Sequence, residues 1–154
     1  MRAVFGALAA LVAIGLAGCG DGGRSTHGIF VDDAASICRA ANAKFAEIDL
    51  VRPNLTRAAQ ALESVVTIGG DALLELRELK PPVNDQRDVG AWLGTLEQAL
   101  NEVEYTRELL GAGRIGQALD AAVRADLLTR RAQTLARRIG LDRACRVPRL
   151  IPRT

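Results

Sequence analysis

From Asp32 onward, apolar residues recur at three- and four-residue steps, and no stretch alternates with period two between turn signals, a pattern that predicts helices and no sheet. Asp32 or Asp33 can cap a first helix running to about Val51, with Ala34, Cys38, Ala41, Phe45 and Ile48 on one stripe. Pro53-Asn54 breaks the chain. A second helix follows from Leu55 to Leu79, its inward line being Leu55, Ala58, Leu62, Val65, Gly69, Ala72, Leu76 and Leu79. Beyond Pro81-Pro82 a third starts at about Asn84 or Asp85 and ends at Leu110, turning Val89, Trp92 or Leu93, Leu96, Leu100, Val103 and Leu110 inward. The fourth, Arg114 to Ile139, does the same with Ile115, Leu119, Ala122, Ala125, Leu128, Ala132, Leu135 and Ile139. Gly140 should close it in the left-handed conformation, with Leu141 folding back onto the last turn.

Gly69-Gly70 interrupts the second helix without shifting the phase of its apolar line. One helix with a weak point is therefore expected, each Gly costing ~1 kcal/mol relative to Ala, although Asp71 can also cap a fresh start. Four helices joined by short loops imply an all-α, antiparallel up-down four-helix bundle over residues 32–146. Charge selects one pair of neighbours. From Asp85 to Leu110 six acids stand against two Arg, and from Arg114 to Ile139 six Arg stand against two Asp. An antiparallel fold at about Ala112 brings Glu102 near Arg124 and Glu97 near Arg130 or Arg131. Exposed pairs of this kind contribute only ~0–1 kcal/mol each and act mainly by choosing the neighbour.

Ahead of the bundle, Arg2 supplies a positive start and Ala3 to Leu16 form an apolar segment of export-signal length. It is shorter than the roughly 20 apolar residues a membrane span requires, and it ends in a Gly/Asp/Ser cluster. Leu16-Ala17-Gly18-Cys19 resembles the lipobox of bacterial lipoproteins, in which the Cys thiol is diacylated and the signal is then cut just before it. The resemblance implies a signal over residues 1–18, Cys19 as a lipidated mature N-terminus, and a tether over residues 19–31. The other reading is an ordinary secretory signal cut near Gly18 or Gly20, which leaves Cys19 a free thiol. Together with a Cys early in the first helix and a closing Gly140-Leu141-x-x-x-Cys145, the chain is similar to small four-helix lipoproteins of actinobacteria. That likeness implies surface anchoring and no particular reaction.

With Cys19 given to lipid, Cys38 and Cys145 remain, an even pair in an exported protein, and a disulfide is the economical expectation. The up-down topology agrees, because it sets the start of the first helix and the end of the fourth at one end of the bundle. A redox pair or metal ligands are the alternative, but there is no Cys-x-x-Cys, and the only His, His27, falls in the tether. No cofactor is expected.

Composition points to no charged partner. The 20 Lys and Arg face 18 Asp and Glu, and removing residues 1–18 takes away Arg2 alone, so the side chains beyond them stay near balance. Aromatics make up 3% of the chain, too few to stack on nucleic acid or sugar rings. "GAGRIG" satisfies G-x-G-x-x-G through Gly111, Gly113 and Gly116, yet it follows an amphipathic helix rather than a buried strand and reads as a helix-helix turn. Trp92-Leu93-Gly94 spells the W-x-G turn motif of small helical-hairpin secretion substrates but lies inside a helix. Trp92 is expected in the core. Glu104 and Glu108, one turn apart, suggest paired carboxylates; with no Glu-x-x-His beside them they read as a solvated face.

These features exclude the common catalytic and metal motifs and lead to a non-enzymatic envelope module that docks an unknown envelope protein. The second expectation is a carrier that binds a small apolar or lipid ligand between helices, opening at Gly69-Gly70. Arg143, Arg146, Arg149 and Arg153 line a Pro-containing tail over residues 147–154 and the segment before it, which can reach anionic head groups. Replacing Cys19 with Ser should release the protein from membranes or leave it as uncut precursor. An unacylated Cys19 in the intact mass of the native protein would end the anchoring argument.

Overall fold

The computed structural model describes residues 25–48 and 55–146. Four helices pack as an antiparallel up-down bundle: α1 (Thr26–Ala46), α2 (Leu55–Glu78), α3 (Gln86–Gly111) and α4 (Ile115–Arg138). A single 3₁₀ turn, Val83–Asp85, leads into α3, and no strand occurs among the described residues. Cys19, Arg149 and Arg153 lie outside them.

The first helix begins earlier than expected, so residues 26–31 belong to α1 and not to the tether. Ser25 caps it, its hydroxyl accepting a hydrogen bond from the Gly28 amide at 3.1 Å. The added turn buries Phe30 in the core cluster that includes Trp92, Ala136, Ile139 and Leu141, and it carries His27 to Asp85, with Nδ1 2.6 Å from Oδ2. Asp32 and Asp33 are interior to the helix. α1 ends at Ala46, with Glu47 as its C-cap; residues 49–51, where the sequence extended it, lie outside the described residues.

α2 is one continuous helix through Gly69-Gly70. The two glycines differ. A Cβ on Gly69 would stand 2.5 Å from Leu100 Cδ2, whereas a Cβ on Gly70 meets nothing within 4 Å. Gly69 thus lets Leu100 of α3 rest against the α2 backbone.

α3 and α4 are the most intimately packed pair, and small residues are the reason. Ala118, Ala121, Ala125, Ala132 and Ala136 form the buried line of α4, and Val103, Thr106 and Leu109 pack from α3. Ala125, Ala132 and Ile139 are buried as expected, and only the first turns of α4 depart from the expected face. Ile115 and Leu119 point out, the latter 63% exposed; so does Leu55 at the start of α2. Alanine methyls allow the backbones to come together, and a Leu in the same line would hold them apart. Arg124 Nη2 reaches Glu102 at 3.0 Å, as the charge pattern anticipates. Glu97 instead pairs with Arg77 of α2 at 2.8 Å, because its side of α3 faces α2, and Arg130 turns back to Asp126 within its own helix.

Both α3 and α4 end in left-handed glycines. Gly113 has φ of 70° and Gly140 of 81°, and the amides that follow close back on the helices, Arg114 onto the Leu109 carbonyl at 2.9 Å and Leu141 onto that of Ala136 at 2.8 Å. The Gly140 turn sends the chain back across the bundle end. Leu141 is buried there, and Cys145 reaches α1, where it forms a disulfide with Cys38, Cα to Cα 4.8 Å.

Two stability outcomes follow. The bond closes a loop with a sequence separation of 107, and replacing either Cys with Ser should lower unfolding free energy by ~2–5 kcal/mol, measured by denaturant titration. Gly70→Ala should stabilise by about 0.5–1 kcal/mol, since its backbone is helical and its Cβ site is open.

Candidate functional site

At one level of the bundle the facing side chains are short: Ala41 on α1, Gly69 and Ala72 on α2, Ala99 on α3 and Thr129 on α4. They leave a cavity of about 90 Å³, partly open to solvent. Larger residues define its walls. Phe45 and Ile48 come from α1, Val65, Leu73 and Leu76 from α2, and Trp92, Leu96, Leu100 and Val103 from α3, with the Cys38–Cys145 bond at one end. Ile48 also lines a shallow groove between α1 and α2 with Lys44, Gln60 and Ser64, so the cavity adjoins the surface beside the end of α1.

The chemistry of the wall selects against water. A bound water needs roughly 10–15 Å³ and two to four polar partners. The space suffices several times over, but the polar side-chain groups in the lining are few: the Asn42 amide, the Thr129 hydroxyl and the Trp92 indole N–H. Asn42 is engaged elsewhere, its Nδ2 donating to the Ala144 carbonyl at 2.8 Å, a bond that ties α1 to the C-terminal segment. No buried side-chain nitrogen or oxygen among the described residues lacks a partner. A largely apolar space of this kind suits a hydrocarbon group. For scale, an engineered cavity of ~150 Å³ takes benzene, so the closed bundle has room for a short stretch of chain.

Cys38 and Cys145 lie at the cavity, and Gly69 is in its wall; these are the sequence-selected residues that come together. Arg143 and Arg146 are exposed on the C-terminal segment and are not part of it. Sequence reasoning placed Phe45, Ile48 and Leu100 on inward faces without finding the space between them. The available signal was the coincidence of Ala41, Gly69, Ala72 and Ala99, which is visible only once the helix registers are known.

Glu104 and Glu108 form no carboxylate pair. Arg107 donates through Nε to Glu104 Oε2 at 2.9 Å and through Nη2 to Oε1, and these hydrogen bonds hold the Glu104 carboxyl below its ordinary range. Glu108 is exposed. Among the described residues there is no group of three or more His, Cys, Asp or Glu placed to hold a metal ion, and no helix is long and apolar enough to cross a membrane. Gly111 ends α3, Gly113 is in the turn and Gly116 lies in the first turn of α4, so the three glycines span a helix–helix connection, and Trp92 is 1% exposed in the core. Comparison with known proteins finds no matching family model, curated relative or solved structure.

Proposed function

We propose that this chain is a lipid-anchored envelope protein whose bundle takes up a single apolar chain, such as a fatty-acyl segment, in the cavity between its helices, and that it carries or presents this ligand without transforming it. The observation that carries the reading is the composition of the cavity wall: contributions from all four helices, almost wholly hydrocarbon, around unfilled space. A solid core would have favoured protein docking alone. The anchor rests on the Leu16-Ala17-Gly18-Cys19 pattern, which attaches acyl chains at Cys19 and sets the bundle on the extracytoplasmic face of the membrane, beside a supply of such ligands.

Admission of a chain longer than the closed cavity requires a helix to move, and α1 is the candidate. Its packing is chiefly against α2, while α3 is clasped on both sides by α2 and α4. The disulfide and the Asn42 bond pin α1 near the C-terminal segment; the stretch carrying Phe45 and Ile48 lies beyond both pins and can swing.

Trp92, the sole tryptophan, lines the cavity and reports on its occupancy. A fatty acid brominated along its chain should quench Trp92 fluorescence saturably. Gly69→Ala, whose new Cβ pushes Leu100 into the space, should weaken binding about ten-fold, ~1.4 kcal/mol, and Gly70→Ala should leave it unchanged. Absence of quenching, or equal affinity in both variants, would remove the carrier reading. The anchor is tested apart from it, by the intact mass at Cys19.

A further inference from the structure

The outward face of α4 is not that of a solvated helix. Leu119, Val123 and Leu127 follow one another at four-residue steps and are 63%, 50% and 59% exposed. Opposite them on the same helix, Ala118, Ala121, Ala125 and Ala132 are buried, so the stripe points directly away from the core. Single exposed Leu or Val residues are ordinary, but a continuous line of three along one face is a surface that binds something.

The surrounding charge says what it binds. Continuing the same step, Arg131 follows Leu127, and Arg137 and Arg138 come in the last turn. All three are exposed, and none forms an ion pair among the described residues. The outward side of α4 thus carries an apolar stripe in its first half, with exposed Asp120 and Arg124 beside it, and is basic in its second. This is the composition of a helix that lies in the plane of an anionic bilayer surface, apolar side chains among the acyl chains and guanidinium groups among the phosphates.

A second copy of the chain fits poorly. A parallel α4 sets Arg131 beside Arg131, and an antiparallel one centred on Val123 sets it beside Arg114 and Ile115, so neither direction offers it an acid. Three side chains on one helix also cover far less than the ~1,200 Å² of a stable interface.

We infer that α4 is the membrane-facing side of the bundle, with Leu119, Val123 and Leu127 inserted at an anionic lipid surface and Arg131, Arg137 and Arg138 on its head groups. The inference rests on the envelope anchoring proposed above for its setting, and the geometry permits both contacts together. Cys19 precedes the Ser25 cap by six positions, a tether reaching ~20 Å when extended. α1 starts at the end of the bundle where α4 finishes, since a Cβ on Gly140 would stand 3.9 Å from Val31 Cγ2 there. The acyl anchor therefore meets the bilayer near Arg137 and Arg138, and the bundle lies on its side along α4.

A thiol-reactive environment-sensitive fluorophore tests this in the full lipidated chain, because Cys38 and Cys145 are bonded to each other and Cys19 carries the acyl chains. Labelled through Val123→Cys, the protein in vesicles of phosphatidylcholine and phosphatidylglycerol should show a blue-shifted emission raised several-fold and quenched by lipid-borne spin labels. Labelled through Leu74→Cys, a still more exposed apolar position on α2, it should show neither. Leu119→Glu with Leu127→Glu should abolish the Val123 signal while the melting temperature holds. Equal signals at both positions, no signal at Val123, or a Val123 signal that grows with protein concentration in the absence of vesicles and accompanies a doubled mass would each overturn the assignment, the last in favour of a second copy. If Cys19 itself takes up label, the anchor has failed independently, and co-sedimentation of the chain with anionic but not neutral vesicles, lost on Leu119→Glu with Leu127→Glu, decides the face on its own.

Discussion

The Cys38–Cys145 bond stands in for packing that α1 does not otherwise make. α2, α3 and α4 hold one another through continuous side-chain layers, and α1 joins them chiefly along α2 and at one end. Beyond that end Ala41 is buried and Phe45 and Ile48 pack against the Val65, Val103 and Ala125 cluster, but the entropy of attaching the helix is still an adverse term. The cross-link removes much of that term from the unfolded chain, which relieves α1 of the need to be packed tightly. Everything around the bond serves to bring it about. Gly140 takes the left-handed conformation that reverses the chain, Leu141 buries its side chain to fix the reversal, and Asn42 holds the Ala144 carbonyl one position before the cysteine.

A second constraint works in the opposite sense. The alanine line of α4 draws that helix close to α3, which leaves no room for its larger residues on that side. Leu119, Val123 and Leu127 are consequently displaced to the outer face. Close packing on one side and an apolar surface on the other are the same decision about helix rotation. The α3–α4 contact needs little further help from charge: the Glu102–Arg124 pair is exposed and contributes at most ~1 kcal/mol.

Much of this was legible in the chain, and what was not has specific causes. Helix number, order and topology follow from the apolar spacing and from Pro and Gly punctuation, and the disulfide follows from the count of cysteines. The face of the first turns of α4 does not, although Ala125, Ala132 and Ile139 are buried as expected. Ala118 and Leu119 are adjacent, either phase of a 3.6-residue period is compatible with the sequence, and ranking by hydrophobicity favours Leu. Only the distance to α3 breaks the tie in favour of Ala. The start of α1 was missed for a related reason. Asp32 and Asp33 are good caps, but Ser25 is another, and Phe30, in a Gly-rich stretch that looks like linker, has a place in the core to fill. Glu97 was assigned to α4 because charge patterns rank partners by sign and sequence distance; Arg77 was a candidate of the same sign on the other neighbour.

The cavity follows from both constraints at once. Where α3 and α4 are drawn together, short side chains are required, and Ala99 and Thr129 are among them. Where α1 is held by a covalent bond, short side chains are tolerated, and Ala41 faces Gly69 and Ala72 across the gap. A bundle stabilised by packing alone would lose ~24 cal/mol for each Å³ left empty, about 2 kcal/mol for a space of this size. A disulfide across so long a loop supplies roughly 4–5 kcal/mol by loop entropy, about twice that cost. The cross-link thus lets the fold keep an apolar cavity, with the bond at one end and Phe45 and Ile48, packed against the Val65, Val103 and Ala125 cluster, at the other.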